Sequence, residues 1–119
     1  MAPKGKRKRP TPRPAPAPWV LKPGSATARK EWDAARAAEP ELLATERQRL
    51  VERPTDRGDN PRRTHQLKGK LATRQVGTDK LPQWQHELTS GGRIWYCVDK
   101  PNRTIWITKV ALAHPKETD

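Results

Sequence analysis

Glu87, Arg93 and His114 supply three side-chain types that suffice for metal-free RNA cleavage, and all three fall within residues 81–114. A guanidinium clamps phosphate oxygens bidentately and offsets the charge that develops in a phosphoryl transition state. An imidazole donates or accepts a proton near neutral pH, and a carboxylate accepts one. Together they can cut a strand whose 2′-hydroxyl attacks its own phosphate. Lys68, Lys70, Lys109 and Lys116 would surround such a site with positive charge. Plainer roles are open to each. Arg93 serves equally as a simple phosphate contact or in a surface ion pair, and a solvated histidine near the C-terminus is the ordinary reading of His114.

The elements that would position these residues are legible around them. The order is L-P-Q-W-Q-H-E-L, T-S-G-G, R-I-W-Y-C-V-D, K-P-N-R, T-I-W-I-T-K-V, A-L-A-H. Runs rich in β-branched and aromatic residues alternate with a Gly-Gly and a Pro-Asn turn, which predicts an antiparallel three-stranded meander. Trp84, Trp95 and Trp106 sit one per strand. Alternation sends Ile94, Tyr96 and Val98 to one face and Arg93, Trp95 and Cys97 to the other. In the preceding strand Trp84, His86 and Leu88 form the apolar set, leaving Gln83, Gln85 and Glu87 to share the open face with Arg93. The last strand is less clear: Ile105, Ile107 and Lys109 alternate with Thr104, Trp106, Thr108 and Val110. Glu87, Arg93 and His114 are thus expected to converge at one edge of an exposed sheet.

Upstream, Trp19 to Lys22 is long enough for one edge strand, ended by Pro23-Gly24. Ser25 reads as the N-cap of a helix over 26–38, with Ala28, Trp32 and Ala35 as its apolar face. Pro40 stops that helix and opens a second, over 41–52, whose buried stripe is Leu43, Leu50 and Val51. Residues 54–64 are a loop on composition. His65 to Leu71 follows, and the polar stretch to Lys80 either begins the sheet or remains a loop. Helices gathered before an antiparallel sheet predict an α+β fold, a two-helix hairpin on one sheet face. Nothing further in the chain is expected to cover the other.

Composition narrows the function classes. The 119 residues allow one small domain; only 32% are hydrophobic, Phe is absent and Pro numbers 13. Residues 1–18 hold six prolines and six basic side chains with no acid, and are read as a disordered arm preceding a domain over 19–119. Its Lys-Arg-Lys-Arg run suits a phosphate-clinging tail, a solubility tail or a nuclear address. Residues 19–61 are neutral, with eight basic and eight acidic side chains, whereas 62–119 carry eleven basic against five acidic. The net charge of +12 points to a polyanionic partner, nucleic acid first among them. No apolar run approaches a membrane span, and no apolar region follows the basic N-terminus as in a secretory signal. A single Cys97 excludes an internal disulfide or a multi-cysteine metal site, so no metal or cofactor is expected and a cytoplasmic setting is the simplest reading.

Taken in order, A-R-K-E-W in the first helix, E-R-P closing the second, Q-L-K-G after the loop, S-G-G-R-I-W-Y-C-V-D and W-I-T-K-V-A-L-A-H resemble the RelE/ParE superfamily of small bacterial toxins, in particular an actinobacterial-type RelE. The resemblance covers about residues 19–117. It implies a twisted antiparallel sheet with two helices on one face. For the RNA-cleaving branch it implies binding to the ribosome (rRNA) and cutting of mRNA until a cognate antitoxin covers the toxin. By position, Arg93 resembles the strand arginine that stabilises the scissile phosphate, and His114 the histidine that acts as general acid. Gln85 and Glu87 fall where other members carry lysines or an acid. No tyrosine follows His114, and the lysine pair of the second strand is absent. Two alternatives stand beside the endoribonuclease: a non-catalytic ParE-like inhibitor of a replication enzyme, and a basic nucleic-acid-binding accessory protein without toxicity.

Overall fold

The computed structural model describes residues 18–56, 62–88 and 91–112. Strand β1 (Val20–Pro23) leads into helices α1 (Ala26–Ala38) and α2 (Pro40–Glu52), then β2 (Thr64–Gln66), a 3-10 turn at Gly69–Leu71, β3 (Thr73–Val76), β4 (Asp79–Glu87), β5 (Arg93–Asp99) and β6 (Thr104–Ala111). Ser25 caps α1 as its sequence signalled, its hydroxyl accepting the Ala28 N–H at 3.0 Å. Glu39 is the only residue between the helices. Its N–H closes α1 on the Ala35 carbonyl (2.8 Å), and its own carbonyl accepts from Leu43 (3.0 Å). Pro40 then occupies the first turn of α2, where its missing N–H is no loss.

The sheet order is β1-β6-β5-β4-β2, with β3 pairing the first half of β4. β4, β5 and β6 form the expected meander. The sheet departs from purely antiparallel at one edge, where β1 runs parallel to β6. Both helices and four strands lie between β1 and β6 in sequence, far more than the dozen or so residues that a parallel pair requires. The polar stretch up to Lys80 does join the sheet, as β3, and Thr64–Gln66 ahead of it joins as β2.

Side chains pointing from the sheet toward the helices form the core. Ile94, Tyr96, Ile105 and Ile107 are at most 1% exposed and pack with Ala28, Ala35, Leu43 and Leu50. Trp32 packs against this cluster but stays half-buried. Each large aliphatic side chain so buried contributes about 1.5–3 kcal/mol. The small alanines on α1 let the helix approach β6 closely, which fixes the distance between the layers. Tyr96 brings a phenol into this core, and its O–H donates to the Pro54 carbonyl at 2.6 Å, tying the central strand to the end of the helical hairpin.

β6 contains an extra residue. Trp95 lies opposite Lys109, but the next residue, Tyr96, lies opposite Ile107, so Thr108 is unmatched. Simple alternation therefore fails in this strand. Ile105 and Ile107 face the helices, and beyond the bulge Val110 does so too, leaving Lys109 on the opposite face. Where β1 ends, the outer edge of β6 continues with no strand beside it among the described residues, and the Glu31 carboxylate accepts the Val110 N–H at 2.8 Å.

Candidate functional site

The face turned away from the helices is built in three cross-strand rows. At the hairpin end, Glu87 lies directly opposite Arg93, which lies opposite Ala111. Directly opposed residues hold their Cβ atoms about 5 Å apart, so the carboxylate and guanidinium emerge side by side. Glu87 is exposed and Arg93 half-buried, and the small Ala111 leaves room beside the guanidinium. The next row is Gln85, Trp95 and Lys109; the indole N–H donates to Gln85 Oε1 at 2.8 Å, and the Lys109 ammonium lies 5.9 Å from the ring centre. The third row is Gln83, Cys97, Trp106 and, on β1, Lys22, whose ammonium is 5.7 Å from the Trp106 ring. Lysine, arginine and indole thus alternate across one surface.

The face is not wholly open, which corrects the expectation that nothing else in the chain would cover it. The Gln83 end is sealed by residues 67–76. Gln83 exchanges backbone hydrogen bonds with Leu67 and Ala72, and its side-chain amide donates to the Leu71 carbonyl at 2.9 Å. The Thr108 hydroxyl donates to Gln83 Oε1 at 2.6 Å, which gives the bulge residue a partner. Cys97, opposite Gln83, has no exposed surface in consequence. Burial pushes its thiol up to about 11, slightly opposed by the Arg74 guanidinium, so the sulfur stays protonated near neutral pH and is no nucleophile.

Of the residues singled out in the sequence, Arg93, Glu87 and Gln85 share this face as alternation predicts, and the bulge in β6 brings Lys109 to it as well. Lys68 and Lys70 are exposed on the covering segment, at the start and within the 3-10 turn. His114 and Lys116 lie outside the described residues, as does the arm before Pro18. The chain reaches Leu112 against Gly92, where a Cβ would sit 2.3 Å from the Ala111 oxygen and 2.5 Å from the Leu112 oxygen. Only glycine permits that approach, and it places the departing chain one residue from Arg93.

A buried polar chain behind the face carried no sequence signal. His86 is 1% exposed; its Nε2 lies 2.8 Å from Glu46 Oε1, and its Nδ1 lies 2.8 Å from the Thr64 hydroxyl. Desolvation raises the Glu46 pKa, but the His86 hydrogen bond and the charges of His86, Arg63 and Arg49 outweigh it, so the carboxyl is held below its ordinary range. Arg63 lies 3.8 Å from the same carboxylate and donates from Nη2 to the Glu87 carbonyl at 3.0 Å. The relay therefore anchors the end of β4 that presents Glu87. Among the described residues, no three His, Cys, Asp or Glu side chains are grouped to hold a metal ion, and no helix is long and apolar enough to cross a membrane.

No family model and no curated protein matches the chain. Among solved structures, a chain of the toxin–antitoxin complex RelBE2 from Mycobacterium tuberculosis aligns with a TM-score of 0.50, covering 78% of this chain and 95% of that one at 19% identity. The chain has a RelE-like fold. At that identity the architecture is what is shared, a helical hairpin on one side of a mostly antiparallel sheet. The RelE-like fold leaves the chemistry to be argued from this chain's own side chains.

Proposed function

We propose that this protein is the toxin of a toxin–antitoxin module, acting as a ribosome-dependent, metal-independent mRNA endoribonuclease that stops translation. The observation that carries the reading is the opposed pair Glu87 and Arg93 at the uncovered end of a basic sheet face. The chain leaves that same corner at Leu112. His114 follows Leu112 by two residues in the sequence and is proposed as the third member of the site. In the proposed reaction Glu87 takes the proton of a ribose 2′-hydroxyl as its oxygen attacks the adjacent phosphorus. The P–O5′ bond breaks, and His114 protonates the leaving 5′-oxygen. Arg93 holds the phosphate oxygens as charge builds on them. The products are a 2′,3′-cyclic phosphate and a 5′-hydroxyl. Lys68, Lys70, Gln85, Lys109 and Lys116 hold the mRNA and the surrounding rRNA.

The RelBE2 structure is of a toxin–antitoxin complex, and a cognate antitoxin is proposed as the protein partner here. On the helix side of the sheet, a groove of about 290 Å³ has Leu21, Trp32 and Ile107 in its wall with Arg29, Arg47 and Asp33 beside them; Asp33 pairs with Arg29 at 3.9 Å, so the charged side keeps a positive excess. Apolar walls with guanidiniums at the side suit an acidic amphipathic segment.

Expression with ribosome-associated mRNA mapping tests the reading. Wild type is expected to arrest growth and leave 2′,3′-cyclic ends. Arg93→Ala and His114→Ala are expected to lose at least a hundredfold in cleavage while keeping the wild-type circular dichroism. Arrest with intact mRNA would point instead to a non-catalytic inhibitor. Unimpaired growth with salt-sensitive RNA binding would leave only a nucleic-acid-binding protein.

A further inference from the structure

We propose that Trp95 and Trp106, with Lys109 and Lys22 laid over their rings, form a stacking platform for an extended single strand of RNA; the proposal rests on the endoribonuclease reading and names a subsite of it. Both indoles are half-buried on the face away from the helices, where no core claims them. Trp95 lies opposite Lys109, and Cys97, two residues further along β5, lies opposite Trp106. The two rings are therefore diagonal neighbours, with Cα atoms about 7–8 Å apart. The Gln85 hydrogen bond to the Trp95 N–H occupies the polar edge of that indole and fixes its plane, leaving the ring face as the surface on offer.

The cations complete the chemistry. Lys22 and Lys109 each place an ammonium within 6 Å of a ring centre, a weak attraction at an exposed site. When RNA arrives, a base takes the ring face and the flexible lysine turns its ammonium to the neighbouring phosphate. Arg93 is two residues from Trp95 on the same strand and the same face, about 7 Å away along the chain. A base on Trp95 therefore sets the adjoining phosphate near the guanidinium. The third cation–ring pair, Arg103 over Trp19, does not belong to this surface, because Trp19 packs with Leu21 against the core. If the lysines only shield exposed rings, removing an indole leaves RNA affinity unchanged, and that difference is measurable.

The test is a fluorescence-anisotropy titration of the full chain with labelled oligouridine and, separately, with an RNA duplex whose bases are already stacked. Trp95→Leu and Trp106→Leu are each expected to weaken oligouridine binding about tenfold and duplex binding less than twofold, with Trp106→Phe retaining most of the affinity. Lys22→Ala and Lys109→Ala should each lower the salt slope for oligouridine by about 0.7. In the wild-type chain, oligouridine should quench tryptophan emission more than inorganic polyphosphate does at equal occupancy, a readout that needs no variant. Unaltered oligouridine affinity in both leucine variants, equal losses on single strand and duplex, or equal quenching by polyphosphate would overturn the platform. Scoring mRNA cleavage by the wild-type chain beside these titrations separates the two proposals. Cleavage with indole-independent RNA binding removes the platform alone. Indole-dependent binding without cleavage removes the endoribonuclease alone.

Discussion

Glu46 shows what a single side chain can do when its partners satisfy it. It sits 6% exposed on α2, yet its carboxyl ionises more readily than usual because the His86 hydrogen bond and nearby arginines outweigh desolvation. Removing one partner of a buried pair leaves the other unsatisfied, which is worse than never burying either. Glu46→Ala is accordingly expected to cost about 3–5 kcal/mol, read as a drop in the urea midpoint at pH 7. The pH dependence has a definite sign. A carboxyl whose pKa is lower folded than unfolded contributes its full stabilisation above the unfolded value, near 4.5, and loses it as the pH falls through the lower folded value. Stability of the wild type should therefore fall more steeply below pH 4.5 than that of Glu46→Gln, which has no proton to bind there. Parallel curves for the two proteins would show that another group governs the acid transition.

Elements were legible where local pattern and tertiary role agreed. Ser25 before the Ala28, Trp32, Ala35 spacing gives α1 its bounds, and Pro40 gives the break, because capping and periodicity are local properties. The face assignments of β4 and β5 follow from alternation for the same reason. Three features were not legible. The parallel pairing of β1 depends on which distant edge is free, a matter on which four residues are silent. A glutamate on a helix ordinarily reads as solvated, which hid Glu46 and its link to His86. The bulge at Thr108 reverses the alternation of β6, so the pattern of Ile107, Lys109 and Val110 misleads until the register is seen. That bulge lies beside an unusual support, the Glu31 side chain on the Val110 N–H. Glu31→Ala should free this edge amide at a cost of about 1 kcal/mol. Its signature is faster hydrogen exchange at Val110 than at Ile94, the residue opposite it. Unchanged exchange at Val110 would mean that the helix contact does not hold the strand end.

At the scale of the whole molecule, the excess positive charge lies toward the two ends of the sequence. Residues 62–119 carry an excess of six positive charges, and residues 1–18 carry six more. The fold holds its own N-terminal end firmly: the Trp19 N–H donates to the Val51 carbonyl at 2.7 Å, and the Trp19 ring meets Arg103 at 4.9 Å. Deleting residues 1–17 removes none of these contacts, so the thermal midpoint should move by less than about 2 °C, the shift of a few tenths of a kcal/mol in a domain of this size. Polyanion binding should respond differently. Each phosphate neutralised on a single strand contributes about 0.7 to the slope of log affinity against log salt. Six cations that all engage would contribute about 4, and loss of the arm should lower the slope by up to that amount. The lysines of the sheet face set what remains. Because the arm adds charge without a ring to stack on, its deletion should weaken oligouridine and polyphosphate to the same degree. The indole variants, by contrast, should weaken oligouridine alone. An unchanged salt slope after deletion would show that the arm touches no phosphate, and the attraction to polyanions would then belong to the folded body.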